Sequence, residues 1–182
     1  MEVRLHGRGG QGVVKAAEIV VKAAVLGSRY GVSIPFFGFE RQGAPVTAFV
    51  RLADRPIRPK TRVYTPDCLV VMDQPLLELP DLFEGLVEGG IVIVNTPLSP
   101  DELNLPAHVG KLGTIDAATI ALETLGRNIP NTVMLGAFCA IAGGVDLEHL
   151  KHCAAEAFGE ANALAVQQGF DRVRSTITSS TD

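Results

Sequence analysis

The segment Gly7-Arg8-Gly9-Gly10-Gln11-Gly12 has the residue types and spacing best suited to chemistry in this chain. It satisfies G-x-G-x-x-G between an alternating stretch over residues 2–6 and a helical repeat that starts at Val13. Glycines at such a place leave backbone N–H groups open, and the positive end of the following helix favours an anion. Two sharper assignments do not fit. A phosphate loop of the Walker type needs Lys and Ser/Thr directly after its last glycine, whereas Gly12 is followed by Val13-Val14, with Lys15 almost a turn later. A dinucleotide site expects an acid about 20 residues further on to hold a ribose, and no acid lies between Glu18 and Glu40. ATP hydrolysis and hydride transfer therefore both lose support. The glycines by themselves can equally serve a tight turn and close helix–sheet packing. Arg8 and Gln11 favour an anion or partner contact, because a turn needs neither a cation nor an amide.

Other candidates each carry a plainer reading. His6 ends the first alternating stretch beside the loop, where an imidazole can donate a proton or contact a phosphate, or only pack and hydrogen-bond. Glu40-Arg41-Gln42 follow Phe36, Phe37 and Phe39, a pattern that either presents charge beside an apolar contact surface or braces the loop internally. His149, His152 and Cys153 would share one side of a helix, but structural zinc sites take four ligands with paired spacing and no fourth is visible. Arg51, Arg55, Arg58, Lys60 and Arg62 form a basic stretch broken by Pro56 and Pro59, suited to an acidic partner or to plain solvation. It lacks the interleaved aromatics of a single-strand nucleic-acid platform.

Bulk properties narrow the classes. With 182 residues, 47% of them hydrophobic, the chain can build one sizeable core. A net charge of −4 provides no general field for nucleic acid or an anionic membrane. No basic segment followed by an apolar run opens the chain, so a cytoplasmic protein without signal peptide or membrane span is expected. Cys68, Cys139 and Cys153 are odd in number and far apart, as expected of small buried hydrophobes in a reducing compartment. They cannot form the four-cysteine set of an iron–sulfur cluster, so the chain is expected to hold no metal or cofactor alone.

The elements that must position these residues follow from periodicity. Residues 2–6 predict a strand, and Val13 to about Gly27 a helix with Val13, Ala17, Val20, Val21 and Ala24 on one face. Residues 30–53 predict irregular extended segments, then a strand over 46–53. The apolar runs at 68–72 and 91–94 predict strands buried on both faces, joined by a crossover helix over 76–87. A further strand at 110–115 precedes helices over 116–125, 132–142 and 147 to about 174, the last capped by Asp146. The alternation predicts a single α/β domain over 1–174, a doubly wound, mostly parallel sheet with helices on both faces. Residues 175–182 read as a frayed tail. The helix at 133–142 is apolar nearly all round, through internal packing or a surface that a partner or second copy would cover.

Taken together, His6 to Val14 and Phe36-Phe-Gly-Phe-Glu-Arg-Gln-Gly-Ala-Pro-Val46 resemble the gamma subunit, or gamma-like domain, of pyruvate and related 2-oxoacid:ferredoxin oxidoreductases. The resemblance continues through Pro56-Ile57, Tyr64-Thr-Pro-Asp67 and Asn131-Thr-Val-Met-Leu-Gly-Ala137, most of the chain in order. Gln42 departs from the Glu-Arg-Arg-Gly of many members, while Gly43-Ala44-Pro45-Val46 is similar to the pyruvate group. The resemblance implies a non-autonomous oxidoreductase subunit in a complex that decarboxylates a 2-oxoacid on thiamine diphosphate with Mg²⁺. Electrons pass through [4Fe–4S] clusters to ferredoxin, and the acyl group goes to coenzyme A. It implies alpha, beta and ferredoxin-like delta partners that carry those groups, with the gamma chain on the assembly and coenzyme A side.

On this reading Gly7, Arg8, Gly9, Gly10, Gln11 and Gly12 lie near coenzyme A or a subunit edge, and Glu40, Arg41 and Gln42 face a partner. The competing classes are an independent Rossmann-like nucleotide-binding enzyme and an interaction module with no ligand.

Overall fold

The computed structural model describes residues 1–36 and 44–177. A seven-stranded sheet runs in the order β2-β3-β1-β4-β5-β6-β7, with β1 Glu2–Arg8, β2 Tyr30–Phe36, β3 Pro45–Ala53, β4 Cys68–Val71, β5 Gly90–Asn95, β6 Val109–Ile115 and β7 Arg174–Ile177. β1, β4, β5 and β6 are parallel neighbours. β3 pairs antiparallel with β1, β2 with β3, and β7 with β6. The sheet is thus mixed: a parallel centre with antiparallel margins.

Five helices, α1 Val13–Leu26, α2 Ala117–Leu125, α3 Asn131–Ala142, α4 Leu147–Phe158 and α5 Ala161–Arg172, complete the α/β domain. They do not flank both faces as expected. Buried residues of all five join Val3, Leu5, Val70, Ile93 and Ile115 in one core. The opposite sheet face, Leu69, Val71, Val92 and Val94, is covered by Leu76, Leu82 and Leu86, outside any α-helix. The crossover helix predicted over 76–87 is a 3-10 turn at Gln74–Glu78 followed by further turns. Pro80 accounts for this: it removes a donor, and it drives Leu79 to extended dihedrals (φ −70°, ψ 126°) that end the turn.

Residues 30–36 are more regular than predicted and form β2, pairing with β3 from Tyr30↔Ala53 to Phe36↔Thr47. Pro35 is tolerated because β2 is the edge strand. The predicted helix over 147–174 divides into α4 and α5 at Gly159, whose φ of +94° suits glycine alone. Asp146 caps α4 as expected, accepting from the N–H groups of Glu148 and His149. Residues 174–177 pair with β6, so the segment expected to fray from 175 begins as an edge strand.

The apolar helix α3 is buried inside the chain. Gly136 and Gly169 bring it against α5 so closely that a Cβ on either would meet the other helix's backbone, at Val166 and Val133 respectively. Phe138, Met134 and Leu135 are buried in the main core. Its apolar surface is therefore not left for a second copy to cover.

Candidate functional site

β1 alternates by design of its sequence. Val3 and Leu5 enter the helix-covered core, while Glu2, Arg4 and His6 face the other way. On that second face they sit opposite Arg51, Phe49 and Thr47 of β3. Glu2 accepts from Arg51 Nε at 2.6 Å, and Arg51 also donates to the carbonyls of Thr61 and Arg62. The basic stretch is therefore not one presented surface, because Arg51 is buried and used to hold residues 61–62 over the sheet.

At the carboxyl end of β1 the chain turns through Arg8-Gly9-Gly10-Gln11, closed by Gln11 N–H to Arg8 C=O at 3.0 Å. Gly10 takes the third position of this turn with φ +96°, where an L side chain is strained. Gly9 N–H donates to Ala44 C=O. Gly12 caps α1 in the left-handed region, φ +77°, and packs against the Asn131 side chain at the start of α3. The N–H groups of Gly10 and Gly12 have no hydrogen-bond acceptor among the described residues. Those of Val13, Val14 and Lys15 start the helix and lack intrahelical partners. The first turn of α1 contains no acid. This is an anion-favouring helix start at the carboxyl edge of the parallel strands.

Asp73, unremarked in the sequence reading, organises the loop. It follows β4, the parallel neighbour of β1, and lies 65 residues beyond Arg8. Arg8 Nε donates to Asp73 Oδ2 at 2.5 Å, and Gln11 Nε2 to Asp73 Oδ1 at 3.2 Å. Gln11 Oε1 accepts the Arg8 N–H at 2.7 Å. Arg8 and Gln11 therefore have a bracing role, and the Arg8 charge is balanced. What the loop offers an anion is backbone N–H and helix dipole rather than a lone guanidinium. The six predicted loop residues are brought together. Glu40, Arg41 and Gln42 lie outside the described residues.

His6 is largely buried, and burial, helped by the nearby Arg4 charge and opposed by Asp81, pushes its pKa down to about 4. At neutral pH it is uncharged, so an imidazolium contact to phosphate is excluded, whereas hydrogen bonding is not. Nδ1 lies 3.5 Å from Thr47 Oγ1 and Nε2 is buried without a partner.

The remaining candidates separate. Cys153 is buried in the core, His152 is exposed, and His149 Nδ1 approaches Asp146 at 3.9 Å. Among the described residues no three His, Cys, Asp or Glu side chains are grouped to hold a metal ion. The three cysteines are buried thiols: burial first, then a neighbouring carboxylate, raises each pKa, that of Cys139 to about 11. They offer neither a nucleophile nor the four thiolates of an iron–sulfur cluster, which does not fit this chain. No helix among the described residues is long and apolar enough to cross a membrane.

Known proteins are similar to this chain in sequence and fold. The family model for pyruvate ferredoxin/flavodoxin oxidoreductase matches residues 2–172. The common gamma subunit of the pyruvate and ketoisovalerate oxidoreductases of Thermococcus kodakarensis is 49% identical over 178 residues, 94% of this chain and 96% of its own. The pyruvate synthase subunit PorC of Methanothermobacter marburgensis is 47% identical over 178 residues, 96% of this chain and 98% of its own. The crystal structure of the pyruvate oxidoreductase subunit PORC of Thermotoga maritima, 36% identical, superposes with a TM-score of 0.87 over 97% of this chain and 98% of that one. By sequence along nearly its whole length and by fold, the chain belongs to the pyruvate ferredoxin/flavodoxin oxidoreductase family, among its gamma subunits.

Proposed function

We propose that this gamma subunit serves a complex that oxidatively decarboxylates pyruvate, or a related 2-oxoacid, to an acyl-coenzyme A, and that its own contribution is the glycine loop, set against the phosphates of coenzyme A. The observation that carries the reading is the set of N–H groups at Gly10, Gly12 and the start of α1 that find no acceptor among the described residues, on a loop held in place by the Asp73 brace. Coenzyme A supplies phosphate oxygens, which such a helix start binds without a side-chain cation. Thiamine diphosphate, Mg²⁺ and the clusters belong on this reading to alpha, beta and ferredoxin-like delta partners. The donor set here suits none of them: its cysteines are buried apart on β4, α3 and α4. Residues 40–42 would face one of those partners, and the complex would work in the cytoplasm.

The test is a reconstituted complex with Gly10→Asp. A carboxylate placed where nothing lies within 4 Å opposes an incoming phosphate. The KM for coenzyme A should rise about tenfold, the cost of roughly 1.4 kcal/mol, while the KM for the 2-oxoacid stays unchanged. Unchanged coenzyme A kinetics in a fully assembled complex would remove the phosphate contact. Loss of assembly alone would make the loop a subunit contact instead.

A further inference from the structure

Residues 51–62 hold five of the chain's 16 Lys and Arg and one of its 20 Asp and Glu. The fold uses some of these charges and leaves others. Arg51 is buried, paired with Glu2 and tied to the carbonyls of Thr61 and Arg62. Asp54, the one acid, is taken by Arg29 Nε at 2.8 Å. Arg62 lies over the rings of Phe36 and Tyr64. Arg55, Arg58 and Lys60 are exposed and make no hydrogen bond or ion pair with the described residues. Three cations within six residues repel one another, and no contact within the chain offsets that repulsion.

The segment that carries them is nonetheless held. Met1 and Leu52 exchange backbone hydrogen bonds at 2.9 Å before it, and Arg51 fixes residues 61–62 after it. Between those anchors Pro56 and Pro59 lock φ. Arg55, Ile57 and Arg58 line, together with Met1, Glu2 and Leu52, a groove of about 720 Å³. A segment ordered before contact costs less to dock. The groove is remote from the glycine loop. Arg51 pairs with Glu2 at the amino end of β1, whereas the loop follows Arg8 at the carboxyl end. The strand between them spans about 20 Å at roughly 3.3 Å per residue.

Carboxylates are what these cations fit. A nucleic acid or an anionic membrane presents charge over a long surface, which the net charge of −4 on this chain repels beyond the segment. A folded protein can set a few carboxylates against one segment and keep the rest of its surface clear. Ile57, partly exposed between the two arginines, gives such a contact an apolar centre. We infer that residues 55–60 dock the acidic surface of another subunit of the complex, at the sheet end opposite the glycine loop. The inference rests on the reading that this chain works within such a complex, and not on the coenzyme A contact.

The experiment assembles the complex from this subunit and its separately purified partners, following the rate of incorporation at about 0.05 M and about 0.5 M NaCl. Arg55→Glu, Arg58→Glu and Lys60→Glu combined should slow incorporation about tenfold at low salt and remove most of its salt dependence. The circular dichroism of the folded chain should be unchanged; the corresponding triple change to Gln carries the test if the Glu variant misfolds. A carbodiimide, which joins an amine only to a carboxylate it touches, should couple Lys60 to an Asp or Glu of another subunit. Lys60→Arg should lose that crosslink and still assemble at the parent rate. Triple variants that incorporate at the parent rate at both salts, or a parent complex in which Lys60 couples to no partner carboxylate, overturn the docking segment alone. A parent chain that enters no complex overturns both this inference and the reading beneath it. Salt-sensitive binding of the lone chain to a DNA duplex or to phosphatidylserine vesicles, lost in the triple variants, assigns the segment to phosphates and overturns the inference as well.

Discussion

Gly12→Ala tests whether the glycine loop is held as described. Two costs fall on that methyl group. At φ +77° an L residue pays roughly 1–2 kcal/mol for the left-handed backbone. The Cβ would also lie 2.9 Å from Asn131 Cγ and 3.2 Å from Asn131 Cβ, with Nδ2 closer still, an overpacking worth about 1–3 kcal/mol. The expected loss is roughly 2–5 kcal/mol, a fall in Tm of about 10 °C for a chain of this size. Gly10→Ala is the control, since its φ is +96° but nothing lies within 4 Å. It should cost only the backbone part, about 1–2 kcal/mol. Asn131→Ala alone should cost about 1 kcal/mol, because Asn131 Oδ1 accepts the Thr132 N–H at the start of α3. Combined with Gly12→Ala it should recover about 1–3 kcal/mol of the overpacking, a coupling readable in a double-mutant cycle by urea denaturation. If Gly12→Ala cost no more than Gly10→Ala, or the cycle closed with no coupling, the packing of the α1 start on the α3 start would be refuted.

Further outcomes follow from the same coordinates. Since the folded pKa of His6 is about 4 against an ordinary 6.5, the unfolded chain binds the proton more readily. Its contribution, at most about 3 kcal/mol, is present above pH 6.5 and is lost as pH falls toward 4; urea midpoints between pH 7.5 and 4.5 should show a slope that His6→Gln reduces. Gly136→Ala and Gly169→Ala each drive a methyl into backbone of the facing helix and should cost about 3 kcal/mol or more by urea denaturation, whereas Gly126→Ala, with open space, should cost only the strain of φ +65°. Cys68, Cys139 and Cys153 should resist a maleimide in the folded chain and all react in denaturant, because the thiols are buried and their pKa values are raised; rapid labelling of Cys68 in native conditions would contradict its burial.

Much of the scaffold was legible because its period is local. Alternation over residues 2–6 set Val3 and Leu5 toward one core, and the apolar runs at 68–72 and 91–94 marked strands covered on both faces. The misreadings over 76–87 and 147–174 had local signals too, in Pro80 and Gly159, which apolar periodicity outweighed. The site was half legible. Glycine spacing located the turn and the helix start, but Asp73 becomes a neighbour of Arg8 only once β1 pairs with β4. No sequence period reports that pairing. Searching for an acid soon after the loop looked for a ribose contact and passed over the residue that braces the loop from the adjacent strand.

The uneven covering of the two sheet faces explains why the polar residues of β1 collect beside the glycine loop. All five helices seal one face with apolar side chains, so nothing charged is needed there. On the other face Leu76, Leu82 and Leu86 cover β4 to β6, while β1 and β3 are bridged by residues 61–64, drawn over the sheet by Arg51. A bridge hung on one arginine leaves space beneath it. Because strand side chains alternate, the residues facing that space are Arg4 and His6, and the strand that presents them runs directly into Gly7. One strand thereby carries polar side chains along the cavity and runs on into the glycine loop, a consequence of sheet order rather than of any contiguous motif.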